Sequence, residues 1–184
     1  LAARPIRRWE IVAGKWLALA AMVCGYVLVV SVSVLIVGQF TTGYFPPGPV
    51  PAVALICCQA LVLLSLAMLG SATFSTLTNG AVTFMLFGVA WVGGLIESIG
   101  TLLDNQAMMN AGIVSSLIVP SDALWRGASF HLQPVALIAA QNAAAVGNPF
   151  TGMTPIATPM VIYSLGYLML CVILAVRRFS TRDL

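Results

Sequence analysis

The chain has 184 residues, 60% of them hydrophobic and only 7% charged, with a formal net charge of +3. A soluble domain carries about 25% charged residues, so a water-covered globule of this composition is excluded for want of a surface. Lipid is the solvent that fits, and each crossing of about 30 Å of hydrocarbon takes about 20 apolar residues.

The chain opens on Leu1 and a basic segment, RPIRRWEIVAGK at residues 4–15. It lacks the short basic start, apolar stretch and small-residue cleavage site of a signal peptide, and is read as a piece of a longer protein missing its N-terminal portion. Pro5 suits the start of a helix. Trp9, Ile11 and Val12 give that helix an apolar side, while Arg7, Arg8, Glu10 and Lys15 hold it at the surface. The result is a short amphipathic element feeding into a span, either a basic membrane anchor or a docking element for a cytoplasmic partner.

The first span is predicted over 16–37, an uncharged run. Residues 39–51 follow as a loop, because Gly43, Pro46, Pro47, Gly48, Pro49 and Pro51 are read as unable to continue a helix. The second span covers 52–74, and its amide, Gln59, is expected to bond to a neighbouring helix. Residues 75–80, with the dipeptide Asn79-Gly80, read as a polar turn. The third span, 81–97, ends at Glu97.

Residues 98–154 mix polar and apolar side chains and read as several short helices. Pro120-Ser121-Asp122 before ALWR predicts a helix start with Ser121 or Asp122 as its cap. Residues 135–146 are too short and too polar to span, and are placed at the interface or against the other helices. The last span runs over 156–176, with Pro159 tolerated in its first turn and Arg177-Arg178 as its stop. The fold class is therefore all-α, one polytopic transmembrane bundle of about four spans, with short outer-face helices between the last two.

Charge sets the expected orientation. Of the eight basic residues, Arg4, Arg7, Arg8, Lys15, Arg177, Arg178 and Arg182 flank the first and last spans, leaving only Arg126 in 98–154. The positive-inside rule then places both ends in the cytoplasm and 98–154 on the outer face. An even number of spans is required by that result, in agreement with the four read from hydropathy.

Little in the sequence carries chemistry. The four cysteines lie in apolar runs without zinc-ligand spacing, and His131 is the single histidine. Neither a P-loop nor an HExxH pattern is present, and Ser121, Asp122 and His131 lie too close in sequence to read as a triad. The spans are almost free of ionisable groups, which argues against a coupled secondary transporter. Glu97 reads either as an interfacial carboxylate or as a contact at an outer mouth, and Asp122, Trp125 and Arg126 join it as a candidate outer gate. Gly70, Gly88, Gly93, Gly94 and Gly166 fit close helix approach, within one bundle or along a conduit or dimer face.

Three stretches together resemble the permease subunits of ABC-2 type exporters. RPIRRWEIVAGKW resembles the segment before the third span of that family, through Pro5, Arg7 or Arg8, Glu10, Gly14 and Lys15. SSLIVPSDALWRG, residues 115–127, resembles the outer segment between the last two spans, and the ending RRFSTRDL resembles the family's usual finish. The resemblance implies the third to sixth spans of a six-span permease in a bacterial or archaeal cell membrane. It implies a coupling helix docking on a separate ATPase, carried here by Arg4, Pro5, Arg7, Arg8, Trp9, Glu10, Gly14 and Lys15, and short outer helices partly re-entering the membrane. The partners implied are that ATP-binding subunit, a second permease subunit and the lipid bilayer, with no nucleic acid. ATP and Mg would sit on the ATPase, and this chain would bind no cofactor and have no enzymatic activity of its own. The competing readings are a non-transporting structural or assembly subunit and an ion-independent secondary transporter.

Overall fold

A computed structural model of the chain describes residues 8–144 and 148–181. The described residues form seven helices: α1 (Arg8–Thr42), α2 (Pro49–Ser71), α3 (Thr76–Leu102), α4 (Gln106–Ile118), α5 (Ser121–Leu132), α6 (Val135–Ala144) and α7 (Thr158–Thr181). Four of them, α1, α2, α3 and α7, are long and apolar enough to cross a membrane. Their outward faces are hydrocarbon: Met22, Val29, Phe40, Phe84 and Ile162 are all exposed. Water would penalise that surface and lipid does not, so the chain is a multi-pass membrane protein.

The helix ends differ from those predicted, and each difference has a local cause. α1 takes in Trp9, Glu10, Gly14 and Lys15 without a break, so the amphipathic segment is the first turns of the span itself. α1 also continues past residue 37, because Thr41 and Thr42 bond back to the carbonyls of Val37 and Gly38. It stops where Gly43 turns left-handed at φ +67° and donates its N–H to Gln39 O. The loop is thus 43–48 rather than 39–51. Pro49 and Pro51 do not block a helix but open α2, since a first turn has no use for their missing N–H groups.

Asn79-Gly80 is not a turn. The chain turns at 72–75, and Ser75 caps α3 by accepting from Thr78 N. Asn79 then lies inside α3, donating its amide to Ala67 O of α2 at 2.8 Å. Gly70 makes that approach possible, because a Cβ there would collide with the Asn79 amide. The third span accordingly runs from Thr76 to Leu102, five residues beyond its predicted limits at each end. The last helix begins at Thr158 and carries Arg177 and Arg178 within its final turns. Among the described residues, Gln59 makes no bond to a neighbouring helix.

The starts of α1 and α3 and the ends of α2 and α7 share one end of the bundle, which we term the terminal end. Trp16 Nε1 donates to the buried Ser65 Oγ at 3.0 Å, fixing α1 against α2 near that end. The opposite, or loop, end is tied by Gly48 N to His131 O at 3.2 Å and by Tyr44 Oη to Leu132 O at 3.0 Å.

Between the third and fourth long helices the chain folds back into the bundle. α4 descends along α3 through close contacts of Gly100 with Met108, and Gly112 with Glu97 and Gly93. Its Ser115 Oγ donates to Val89 O at 3.1 Å, and Val89 is the middle residue of α3. There the path breaks at Val119 and Pro120 and bends by 103° into α5. Leu124 of α5 is fully buried in the core with Leu55, Val62, Ala128 and Leu168. Much of the 98–154 segment is therefore embedded among the spans rather than resting on an outer face.

Candidate functional site

A cavity of about 440 Å³ opens between α3, α4, α5 and the 148–157 segment. Its ionisable lining is Glu97 from α3 with Asp122 and Arg126 from α5. These are three of the four residues assigned from sequence to an outer gate. The fourth, Trp125, points elsewhere: its Nε1 donates to Phe150 O at 3.2 Å and its ring is partly exposed.

Asp122 and Arg126 are one helical turn apart, and Arg126 Nε meets Asp122 Oδ2 at 2.7 Å. The Asp122 side chain is 5% exposed, so the pair is shielded from water on the carboxylate side. Neither Ser121 nor Asp122 caps α5. Pro120 holds the cap position without a side-chain bond, the Ser121 hydroxyl is buried without a partner, and Asp122 is drawn to Arg126 instead.

The pair lies against Gly94 of α3, where a Cβ would overlap both side chains. Gly94 is five residues from the middle of α3, about 7.5 Å along the axis at 1.5 Å per residue. Asp122 and Arg126 therefore pack within the length of a helix long and apolar enough to span. The four long helices are almost free of ionisable groups in mid-length, as the sequence reading expects, and the charged pair beside α3 comes from α5.

The 148–157 wall is strapped to α5 by buried polar bonds. Gly152 N donates to Ser129 Oγ at 2.8 Å, and Gln133 Nε2 reaches Gly152 O at 2.9 Å. Gly152 packs on the Arg126 backbone so closely that a Cβ would clash with it. Phe150 stacks on Trp91 of α3, with ring centroids 5.9 Å apart. Ser129, Gln133, Gly112 and Gly152 were not legible as site residues, whereas Gly93-Gly94 stood out as a small pair and serves packing within this chain. Gly88 and Gly166, noted with them, have nothing within 4 Å.

At the terminal end, Trp9 and Ile11 are exposed and Val12 is buried. A groove of about 350 Å³ lies beside them, lined by residues including Ile11, Lys15, Met68 and Phe179. Arg4, Pro5 and Arg7 lie outside the described residues, and only the backbone of Arg8 is described. Among the described residues no three His, Cys, Asp or Glu side chains converge as a metal site.

Compared with known proteins, the chain matches no family model, no curated protein and no solved structure.

Proposed function

We propose that this chain is the membrane-spanning permease subunit of an ATP-driven exporter of the ABC-2 type, working with a separate ATPase and a second permease subunit. The observation that carries the reading is the bent α4–α5 pair inserted between the third and fourth long helices, where that resemblance expects short re-entering helices. Lys15, Arg177 and Arg178 gather at the terminal end, which the positive-inside rule assigns to the cytoplasm. That end is where an ATPase would dock, on the segment running from Arg4 to Lys15. The work of such a subunit is mechanical: ATP binding at the partner favours one of two bundle arrangements.

The test is co-purification of a Walker A-bearing ATPase with the tagged chain from its native membrane, and ATP-dependent transport by the reconstituted pair. Reversing charge at Arg7 and Arg8 is expected to abolish both. Unchanged association and transport in that variant would overturn the coupling assignment.

One observation favours a second reading. A broken helix pair carrying a buried Asp122–Arg126 ion pair is also the hardware of an ion-coupled carrier. Transport driven by an ion gradient without any ATPase would select that reading over the first.

A further inference from the structure

The cavity beside α3 carries a charge imbalance that neither reading uses. Its ionisable groups come from two helices only. Glu97 faces it from α3, and Asp122 and Arg126 face it from α5, while α4, the 148–157 segment and the start of α7 supply none. Arg126 is committed to Asp122 at 2.7 Å. The formal charges therefore sum to −1, and the uncompensated carboxylate is Glu97, which forms no ion pair among the described residues.

The remaining wall is largely hydrocarbon, including Leu102, Ile113, Leu117, Ile156 and Met160. A volume of about 440 Å³ is that of a small-molecule pocket rather than a packing defect.

We infer that this cavity binds an amphiphilic organic monocation, its ammonium-like head beside Glu97 and its hydrocarbon body against the Leu102, Ile113, Leu117 and Met160 wall. An anion would meet a net negative lining. A hard metal ion needs six or more oxygen ligands in a polar shell, and this wall offers one free carboxylate and mostly apolar side chains. A cation with a hydrocarbon body uses both halves of the lining, because attraction between charges strengthens as water is excluded. The site stands on the cavity alone and requires neither an ATPase nor transport, so failure of the permease reading would leave it intact.

The experiment is equilibrium binding of radiolabelled decyltrimethylammonium to the full chain in phosphatidylcholine nanodiscs. Saturable binding is expected, displaced by tetraphenylphosphonium but not by 1-decanol, nor by sodium or magnesium chloride at matched ionic strength. Glu97→Gln is expected to weaken binding by about tenfold or more, Glu97→Asp to retain part of it, and Asp104→Asn, outside the cavity, to leave it unchanged. Equal affinity in Glu97→Gln, equal displacement by the neutral alcohol, or displacement by the inorganic cations would each overturn the site. Should Glu97→Gln fail to elute as a single species, the ratio of cationic to neutral competition in the unmodified chain decides alone.

Discussion

Gly94→Ala tests the packing on which the whole site depends. A Cβ at this position would lie under 3.0 Å from the Asp122 carboxylate and from Arg126 Nη2. The pair cannot simply retreat, because α5 is held from behind by Leu124 in the core with Val62 and Leu168. Replacing a helical Gly by Ala gains about 1 kcal/mol of backbone preference. Prising apart a buried ion pair costs about 3–5 kcal/mol. The net expectation is a loss of about 2–4 kcal/mol. Gly88→Ala is the matched control, on the same helix with nothing within 4 Å of its Cβ, and is expected to fall between neutral and about 1 kcal/mol stabilising. Unfolding in mixed micelles, followed by circular dichroism, measures both. Removing both partners, Asp122→Ala with Arg126→Ala, in the Gly94→Ala background clears the space without leaving a lone buried charge and is expected to recover part of the loss. Equal stability of Gly94→Ala and Gly88→Ala would refute the close approach of α3 and α5.

Asp122→Asn and Arg126→Gln, each alone, leave one buried charge without its partner and are expected to cost about 3–5 kcal/mol. The double variant is expected to lose much less than the sum, and additive losses in the same unfolding assay would show the two groups to be uncoupled. Trp16→Phe deletes the 3.0 Å bond to Ser65 Oγ. Its expected cost is about 1 kcal/mol, or about 3 °C of melting temperature for a chain of this size, measured by thermal unfolding. For topology, single cysteines are placed in a background lacking Cys24, Cys57, Cys58 and Cys171. Asp104→Cys is expected to react with an impermeant maleimide in intact cells and Thr73→Cys only after permeabilisation, whereas labelling of both from one side would refute an odd number of crossings between them.

The four long helices were legible because lipid forces each crossing into a long uncharged run, and no tertiary detail is needed to see that. Their ends were not. Proline and glycine in 39–51 and 75–80 were read as breaks, yet Pro49 and Pro51 occupy the one turn where proline costs nothing. Gly80 within α3 costs about 1 kcal/mol relative to Ala, offset locally by the Ser75 cap and by the Asn79 bond to Ala67 O. These compensations depend on α2 lying alongside α3, which no local pattern announces.

The candidate site shows the same division more sharply. Asp122 and Arg126 are legible as an i, i+4 pair, and Glu97 as a carboxylate at the end of a span. Their shared depth is not, because hydropathy reports depth only for a helix that crosses on its own. α4 and α5 take their depth from α3, through notches at Gly93, Gly94, Gly100 and Gly112 that let one helix descend against another. A break in the backbone at such depth is tolerated only where protein, not lipid, surrounds it. Val119 and Pro120 are accordingly buried, and the spans that hide them bring Leu124 and the Asp122–Arg126 pair into the bundle with them. The break, the glycine notches and the buried charge are thus one device: without the notches the re-entrant pair would lose its cover, and without the re-entrant pair the cavity would lose both charges of α5.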